Sequence, residues 1–326
     1  MIKKLLLFVP LIISGSLYAQ ILTKSPSQNS TATKVLTKYP TALNFIAMGD
    51  WGRNGADHQK QVAKQMGSTA SEVKAQFVIS TGDNFYPSGV ISAQDPSFKY
   101  SFEDIYTDFS LQWDWYVVLG NHDYKSNPDA QVNYSKISRR WKMPARYFAK
   151  KFPINGDINS QVLVAFIDTN PLIQEFYKNA EYGPNVKGQD TTAQKKWLAK
   201  TLDDKDPSIK WKIVVGHHPM YTGGSRTDGY DTKAIRSSLK PVLDRYGVDV
   251  YLTGHEHSLQ YIKPEGKTHH FISGAASEKT PVKLIPDAQV VASEYGFMLF
   301  SVNKDQLMVQ FINDEGYVIY NTIIKK

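Results

Sequence analysis

Leu43-Asn44-Phe45-Ile46-Ala47-Met48-Gly49-Asp50 is an apolar run of strand length that stops at a glycine and is followed at once by a carboxylate. The pattern returns four times. Residues 77–80 lead to Gly82-Asp83, 116–119 to Gly120-Asn121-His122, 211–215 to Gly216-His217, and 248–252 to Gly254-His255-Glu256-His257. A further run, 162–167, ends at Asp168-Thr169, where a turn or helix cap is expected. Stretches with helical spacing lie between several runs, at 57–73, 192–202 and 232–246, so the chain reads as α/β with largely parallel strands. From His269 onward the runs at His270-Phe271-Ile272, 297–302, 307–311 and 318–324 are separated by turn-forming residues, which predicts antiparallel hairpins. In each of the five repeats a polar residue falls just past the C-terminal end of a strand. That is the edge of an α/β sheet where loops converge and ligands bind. Glycine there is expected to permit the tight turn that aims the next side chain inward.

Composition narrows the chemistry. The chain has 326 residues, 41% of them hydrophobic, enough for one large core and a single domain. Residues 1–19 carry Lys3-Lys4, an apolar stretch from 5 to 13 and small residues ending at Ala19, the layout of a secretory signal peptide that is too short to span a bilayer. Residues 20–41 are rich in polar residues and are expected to form a loosely structured leader, with the folded domain at 42–326. The expected location is secreted or periplasmic, with no stable membrane insertion once the signal is removed. Cysteine is absent, which excludes disulfides, thiolate ligands and cysteine nucleophiles. The net charge of +7 becomes +5 without Lys3 and Lys4, a field that would favour anionic substrates. The basic residues are scattered, without the basic and aromatic stripe of a nucleic-acid surface, so no nucleic-acid partner is expected.

Of eight histidines, five (His122, His217, His218, His255, His257) fall in these segments. With Asp50, Asp83 and Asn121 they form an oxygen and nitrogen donor set suited to iron, zinc or manganese. The two imidazoles of Gly254-His255-Glu256-His257 would share one face of an extended segment and serve two neighbouring ions. Such a pair, roughly 3.5–4 Å apart, suits in-line displacement at phosphorus.

Together the five segments resemble the calcineurin-like metallophosphoesterases and, within them, the purple acid phosphatases. Generic members open with Asp-X-His, whereas Asp50-Trp51-Gly52 lacks that histidine, and Gly82-Asp83-Asn84-Phe85-Tyr86 places a tyrosine where the purple enzymes have their iron(III) ligand. A phenolate is a hard anionic donor that favours a trivalent ion. The likeness extends from about Leu43 to Tyr320 and is nearest the small, tartrate-resistant type. Thr192-Ala193-Gln194-Lys195-Lys196-Trp197-Leu198 and Ser258-Leu259-Gln260-Tyr261 add to it.

The resemblance implies a single-domain, four-layer αββα sandwich (α/β, or α+β by some schemes). It implies iron(III) held by Asp50, Tyr86 and His257, with Asp83 bridging to a divalent ion (iron, zinc or manganese) held by Asn121, His217 and His255. An iron-bound or bridging hydroxide would attack phosphate monoesters in line. His122 would face the phosphate or leaving group with Asp123 fixing its ring, and Asn121, His122 and His218 would contact substrate. Substrates would be small phosphorylated molecules or phosphoproteins. A phosphodiesterase or nucleotide pyrophosphatase on the same centre, or a non-catalytic metal- or phosphate-binding module, are the alternatives. His218 stands where the small members often carry an aromatic residue, and the disulfide of the animal enzymes has no counterpart here.

Overall fold

In the run from Leu43 to Met48 the side chains of Leu43, Phe45 and Ala47 point one way and those of Ile46 and Met48 the other, and all are buried. A strand with two apolar faces needs cover on both. In the computed structural model, which describes residues 20–24 and 32–326, a second sheet supplies that cover on one side and helices supply it on the other.

One sheet has seven strands in the order β15 (Val318–Lys325), β14 (Gln306–Asn313), β13 (Gly296–Val302), β2 (Leu43–Met48), β3 (Phe77–Ser80), β4 (Asp114–Val117) and β5 (Trp141–Lys142). The other has eight, ordered β1 (Gln20–Thr23), β12 (Ala288–Ser293), β10 (Leu259–Ile262), β11 (His269–Ser273), β9 (Val250–Thr253), β8 (Ile209–Val215), β7 (Asp157–Phe166) and β6 (Phe148–Ile154). Strands β2 to β5 run parallel, as do β7, β8, β9 and β11. Of the predicted antiparallel tail, β13, β14 and β15 are antiparallel to one another and added beyond β2, whereas β11, which holds His270-Phe271-Ile272, is antiparallel to β10 but parallel to β9.

Alternation sorts the core. Phe45, Ile79, Val164, Ile213 and Leu252 lie in the cluster between the sheets. Ile46, Val78, Ala165, Val214 and Tyr251 face outward and pack with the helices. On the seven-stranded sheet the cover is α1 (Gln59–Val73), through Val62, Met66 and Ala70. On the eight-stranded sheet it is α4 (Thr191–Leu202) and α5 (Tyr230–Arg245), through Leu198, Leu202, Ile235, Leu239 and Leu243. Two shorter helices, α2 (Pro128–Tyr134) and α3 (Gly183–Val186), lie in connecting loops. The result is the four-layer αββα arrangement, in one domain.

Periodicity does not say which runs pair. The six runs divide three and three, with 43–48, 77–80 and 116–119 in one sheet and 162–167, 211–215 and 248–252 in the other. The expectation of a loose leader over 20–41 needs correction. Gln20–Thr23 pairs antiparallel with β12, Thr33 bridges Val318, and Leu36 is buried. Ile21 and Leu22 are the only hydrophobic residues between Gln20 and Thr31, too short a run to mark the edge strand, which needs only one partner. The signal-peptide expectation at 1–19 lies outside the described residues. Among those described, no helix is long and apolar enough to cross a membrane.

Strand β11 carries a pH liability. Burial pushes His270 down to about 3, so the folded protein keeps it neutral while the unfolded chain takes up a proton near pH 6.5. Between those limits the unfolded state binds more protons, so stability falls as pH falls and the loss levels off near pH 3. From pH 7 to 5 this amounts to about 2 kcal/mol. His270→Leu is therefore expected to shrink the drop in melting temperature between pH 7 and 5, measured by calorimetry. An unchanged drop would show that His270 does not titrate in this way.

Candidate metal centre

The parallel strands of both sheets end at one edge of the sandwich, and the donor residues stand there. Asp50 follows β2, Asp83 follows β3, Asn121 follows β4, His217 follows β8, and His255 and His257 follow β9. The glycines before them act chiefly by leaving room. A Cβ at Gly120 would lie 2.1 Å from Asp83 Oδ1, and one at Gly254 would lie 2.4 Å from Asp50 Oδ2. Of the five, only Gly82 adopts a left-handed turn, with φ of 98°, and the donors carry the others, with φ of 61° at Asp50, 48° at Asp83 and 70° at His255. Non-glycine residues hold that conformation at a cost of order 1–3 kcal/mol, and they do so mostly where function fixes them.

Two groups of donors meet at Asp83. On one side Tyr86 Oη lies 3.2 Å from Asp50 Oδ1, 3.2 Å from Asp83 Oδ2 and 3.1 Å from His257 Nε2. On the other, His217 Nε2 lies 3.4 Å from Asp83 Oδ2, 3.3 Å from Asn121 Oδ1 and 3.2 Å from His255 Nδ1. The ligand atoms of Asp50, Asp83 and His217 fall within 4.8 Å of one another, as do those of His217, His218 and His255.

Electrostatics shows what this closeness costs. Burial, reinforced by Asp83, pushes Asp50 well above the carboxylate range. Burial also opposes charge on Asp83, yet His217, His122 and His255 hold it well below that range. His217 is depressed by burial but raised by Asp83 and Asp50, to a net value of about 9. Burial followed by Asp83 and Asp50 drives the Tyr86 phenol up. Burial drives His255 down and takes His257 down to about 4, so both imidazoles stay neutral and able to donate a lone pair in mild acid. Two buried carboxylates, a phenol, an amide oxygen and converging imidazoles oppose one another as protein groups and become compatible around cations. The donor set fits hard to borderline metal ions.

The sequence profile of the family described as calcineurin-like phosphoesterase matches residues 43–259. The chain is 34% identical to purple acid phosphatase 17 of Arabidopsis thaliana over 299 residues, 87% of this chain and 85% of that protein. It is 36% identical to tartrate-resistant acid phosphatase type 5 of Mus musculus over 303 residues, 87% of this chain and 90% of that one. The chain belongs to the calcineurin-like phosphoesterases, in their purple acid phosphatase branch. The solved structure of GAP50, the anchor in the inner membrane complex of Plasmodium, shares the fold at a TM-score of 0.74 and 23% identity, over 87% of this chain and 89% of that one. The protein is thus a metal-dependent acid phosphatase acting on phosphorylated substrates, and its family implies a binuclear centre.

Surrounding groups orient the imidazoles of this purple acid phosphatase. His217 Nδ1 pairs with the Thr81 carbonyl at 2.8 Å and presents Nε2 to the centre, whereas His255 Nε2 pairs with Asp231 Oδ2 at 2.8 Å and presents Nδ1. Glu278 Oε2 lies 3.3 Å from His257 Nδ1, an ion-pair distance rather than an aligned hydrogen bond. Asp231 and Glu278 carry no motif signal, because they reach the site from the start of α5 and from the loop after β11.

Two expectations need correcting. Asp123 does not fix the His122 ring. It is fully buried and accepts from the backbone N–H groups of Gly120 at 2.8 Å, Asn84 at 3.1 Å and Phe85 at 3.2 Å, bracing the loop that carries Asp83. Consecutive residues of a 3₁₀ turn do not face each other, and Asp123 opens such a turn directly after His122. His122 is instead held through Nδ1 by the Pro87 carbonyl at 2.6 Å, and its backbone N–H donates to Asp83 Oδ1 at 2.7 Å. His218 is not at the substrate face. It is fully buried, with Nδ1 2.8 Å from Thr169 Oγ1 and its ring 4.4 Å from that of His255, so it backs the ligand cluster. His122 is half-buried, and Asn121 Nδ2 lies 3.5 Å from Tyr182 Oη.

Asp231→Asn keeps the side-chain size while removing the anion that orients His255. Divalent-ion affinity is expected to fall about 10–100-fold, read by calorimetric titration with Zn²⁺ or Mn²⁺. Unchanged affinity would exclude an orienting role for Asp231.

Proposed function

We propose that this purple acid phosphatase pairs iron(III) with a divalent ion, hydrolyses phosphate monoesters, and is exported. The observation carrying the iron(III) assignment is Tyr86, whose phenol oxygen stands within 3.2 Å of Asp50, Asp83 and His257. A phenolate beside two carboxylates gives a hard, anionic pocket, which favours a trivalent ion over a divalent one. Asp50, Tyr86 and His257 would hold iron(III), Asn121, His217 and His255 would hold iron, zinc or manganese, and Asp83 stands between the two groups. When bound, the pair supplies Lewis acidity toward water and toward the phosphate oxygens.

The chain's own residues supply orientation and proton transfer. His122 lies beside the centre with its ring 4.4 Å from that of Tyr86. Its Nδ1 is committed to Pro87, which leaves Nε2 to meet the phosphate or to give a proton to the leaving oxygen. Asn121 contributes Oδ1 toward the divalent side, and its amide nitrogen faces Tyr182. The low values of His255 and His257 keep these donors neutral in mild acid, in keeping with an acid phosphatase. Export rests on Lys3-Lys4 and the apolar stretch that follows.

Purified protein is expected to carry two metal ions, one of them iron, and to absorb in the visible through a tyrosinate-to-iron(III) transition that Tyr86→Phe abolishes. A chromogenic phosphomonoester is expected to turn over near pH 5 at least tenfold faster than the corresponding bis-ester. Active protein without colour or iron would contradict the iron(III) assignment, and preference for the bis-ester would make the enzyme a diesterase.

A further inference from the structure

The side of the centre formed by Tyr86 and His257 is backed by an ion pair between Arg53 and Glu278. Arg53 Cζ lies 3.9 Å from the centroid of the Tyr86 ring, which places the guanidinium against the aromatic face. Arg53 Nη2 reaches Glu278 Oε2 at 2.5 Å, and that carboxylate is 3.3 Å from His257 Nδ1. Arg53 Nε donates to Ser277 Oγ at 3.1 Å, and Ser277 Oγ donates to the Asp50 carbonyl at 2.6 Å. The Arg53 side chain is 22% exposed.

An arginine beside a phosphatase centre invites the reading of a phosphate clamp, but two of its donor positions are already used. Nε is taken by Ser277, Nη2 by Glu278, and one face of the guanidinium by the tyrosine ring. Each of these contacts leads to a residue of the iron(III) side: Tyr86 directly, His257 through Glu278, and Asp50 through Ser277.

We propose that Arg53 is a positioning residue that, balanced by Glu278, sets the electron-donor strength of the Tyr86 and His257 ligands. The inference rests on the assignment of Tyr86 as an iron(III) ligand. A cation against the ring face is attracted to the π electrons and lowers their energy, more so when the phenol is ionised. Lower-energy phenolate electrons require more energy to move to iron, so Arg53 shifts the visible band to shorter wavelength and makes the iron easier to reduce. Glu278 opposes the effect on the potential, by screening Arg53 and by placing negative charge behind His257, which strengthens the imidazole as a donor. On the iron potential the two residues therefore act with opposite signs, which a general structural role would not produce.

The test uses the full-length, metal-loaded protein and reads the visible absorption maximum, the iron reduction potential and the metal content, with KM and kcat for a phosphomonoester alongside. Arg53→Met is expected to move the band to longer wavelength and lower the potential, with both ions retained and KM within about twofold of the parent. Arg53→Lys, which keeps charge but not the planar stack, should fall between them. Glu278→Gln should move the potential in the opposite direction, upward, and it serves as the independent variant if Arg53→Met does not fold. A band and potential unchanged in both Arg53→Lys and Glu278→Gln would overturn the proposal. So would a raised KM with an unmoved band, which would make Arg53 a substrate clamp. Parent protein lacking any visible band would remove the iron(III) assignment and the proposal together, an outcome distinct from a purple parent with unshifted variants.

Discussion

Asp50 and Asp83 are both buried, and the Tyr86 phenol lies within 3.2 Å of each. Two carboxylates in one water-poor space cannot both ionise cheaply, and the protein groups answer by moving in opposite directions, Asp50 up and Asp83 down. Much of the surrounding structure manages this one conflict. His217 faces both carboxylates, the N–H groups of His122 and His255 donate to them, and three donors sit in strained left-handed turns to bring their side chains together. Cations placed among these donors would relieve the conflict, because metal binding calls for ionised carboxylates and neutral imidazoles.

The fold makes the arrangement possible because two sheets end at the same edge. Each sheet alone would offer its donors in a row. Packed face to face through Phe45, Ile79, Ile213 and Leu252, they bring Asp50, Asp83 and Asn121 of one row opposite His217, His255 and His257 of the other. Behind the first row an aromatic cluster packs against the loops. Trp51 lies edge-on to Phe85, Tyr106, Trp115 and Trp141, and its Nε1–H donates to Ser80 Oγ, which in turn donates to Asn84 beside Asp83. Trp51 and Phe85 thus anchor the chain directly beside Asp50 and Tyr86.

Much of this was legible in the sequence because it is local. A strand followed by glycine and a donor is a short pattern, and its five repeats named the segments that meet. What stayed hidden depends on distant pairing. Asp231 and Glu278 lie far along the chain from any motif, and no periodicity marks a carboxylate that will meet an imidazole. Asp123 misled because adjacency in sequence suggests contact, whereas a tight turn points neighbours apart. His218 misled in a similar way, since it follows His217 yet packs behind the cluster. The edge strand at Gln20–Thr23 was masked by its brevity, because an edge position needs only two apolar residues.

The central claim is that two ions share Asp83, with Tyr86 touching only one of them. Anomalous diffraction from crystals of the metal-loaded protein, recorded on both sides of the iron edge, tests it most directly. The account predicts two peaks roughly 3.5–4 Å apart on either side of the Asp83 carboxylate, with iron at the Tyr86 side. A single peak, or iron found only between His217 and His255, would contradict it.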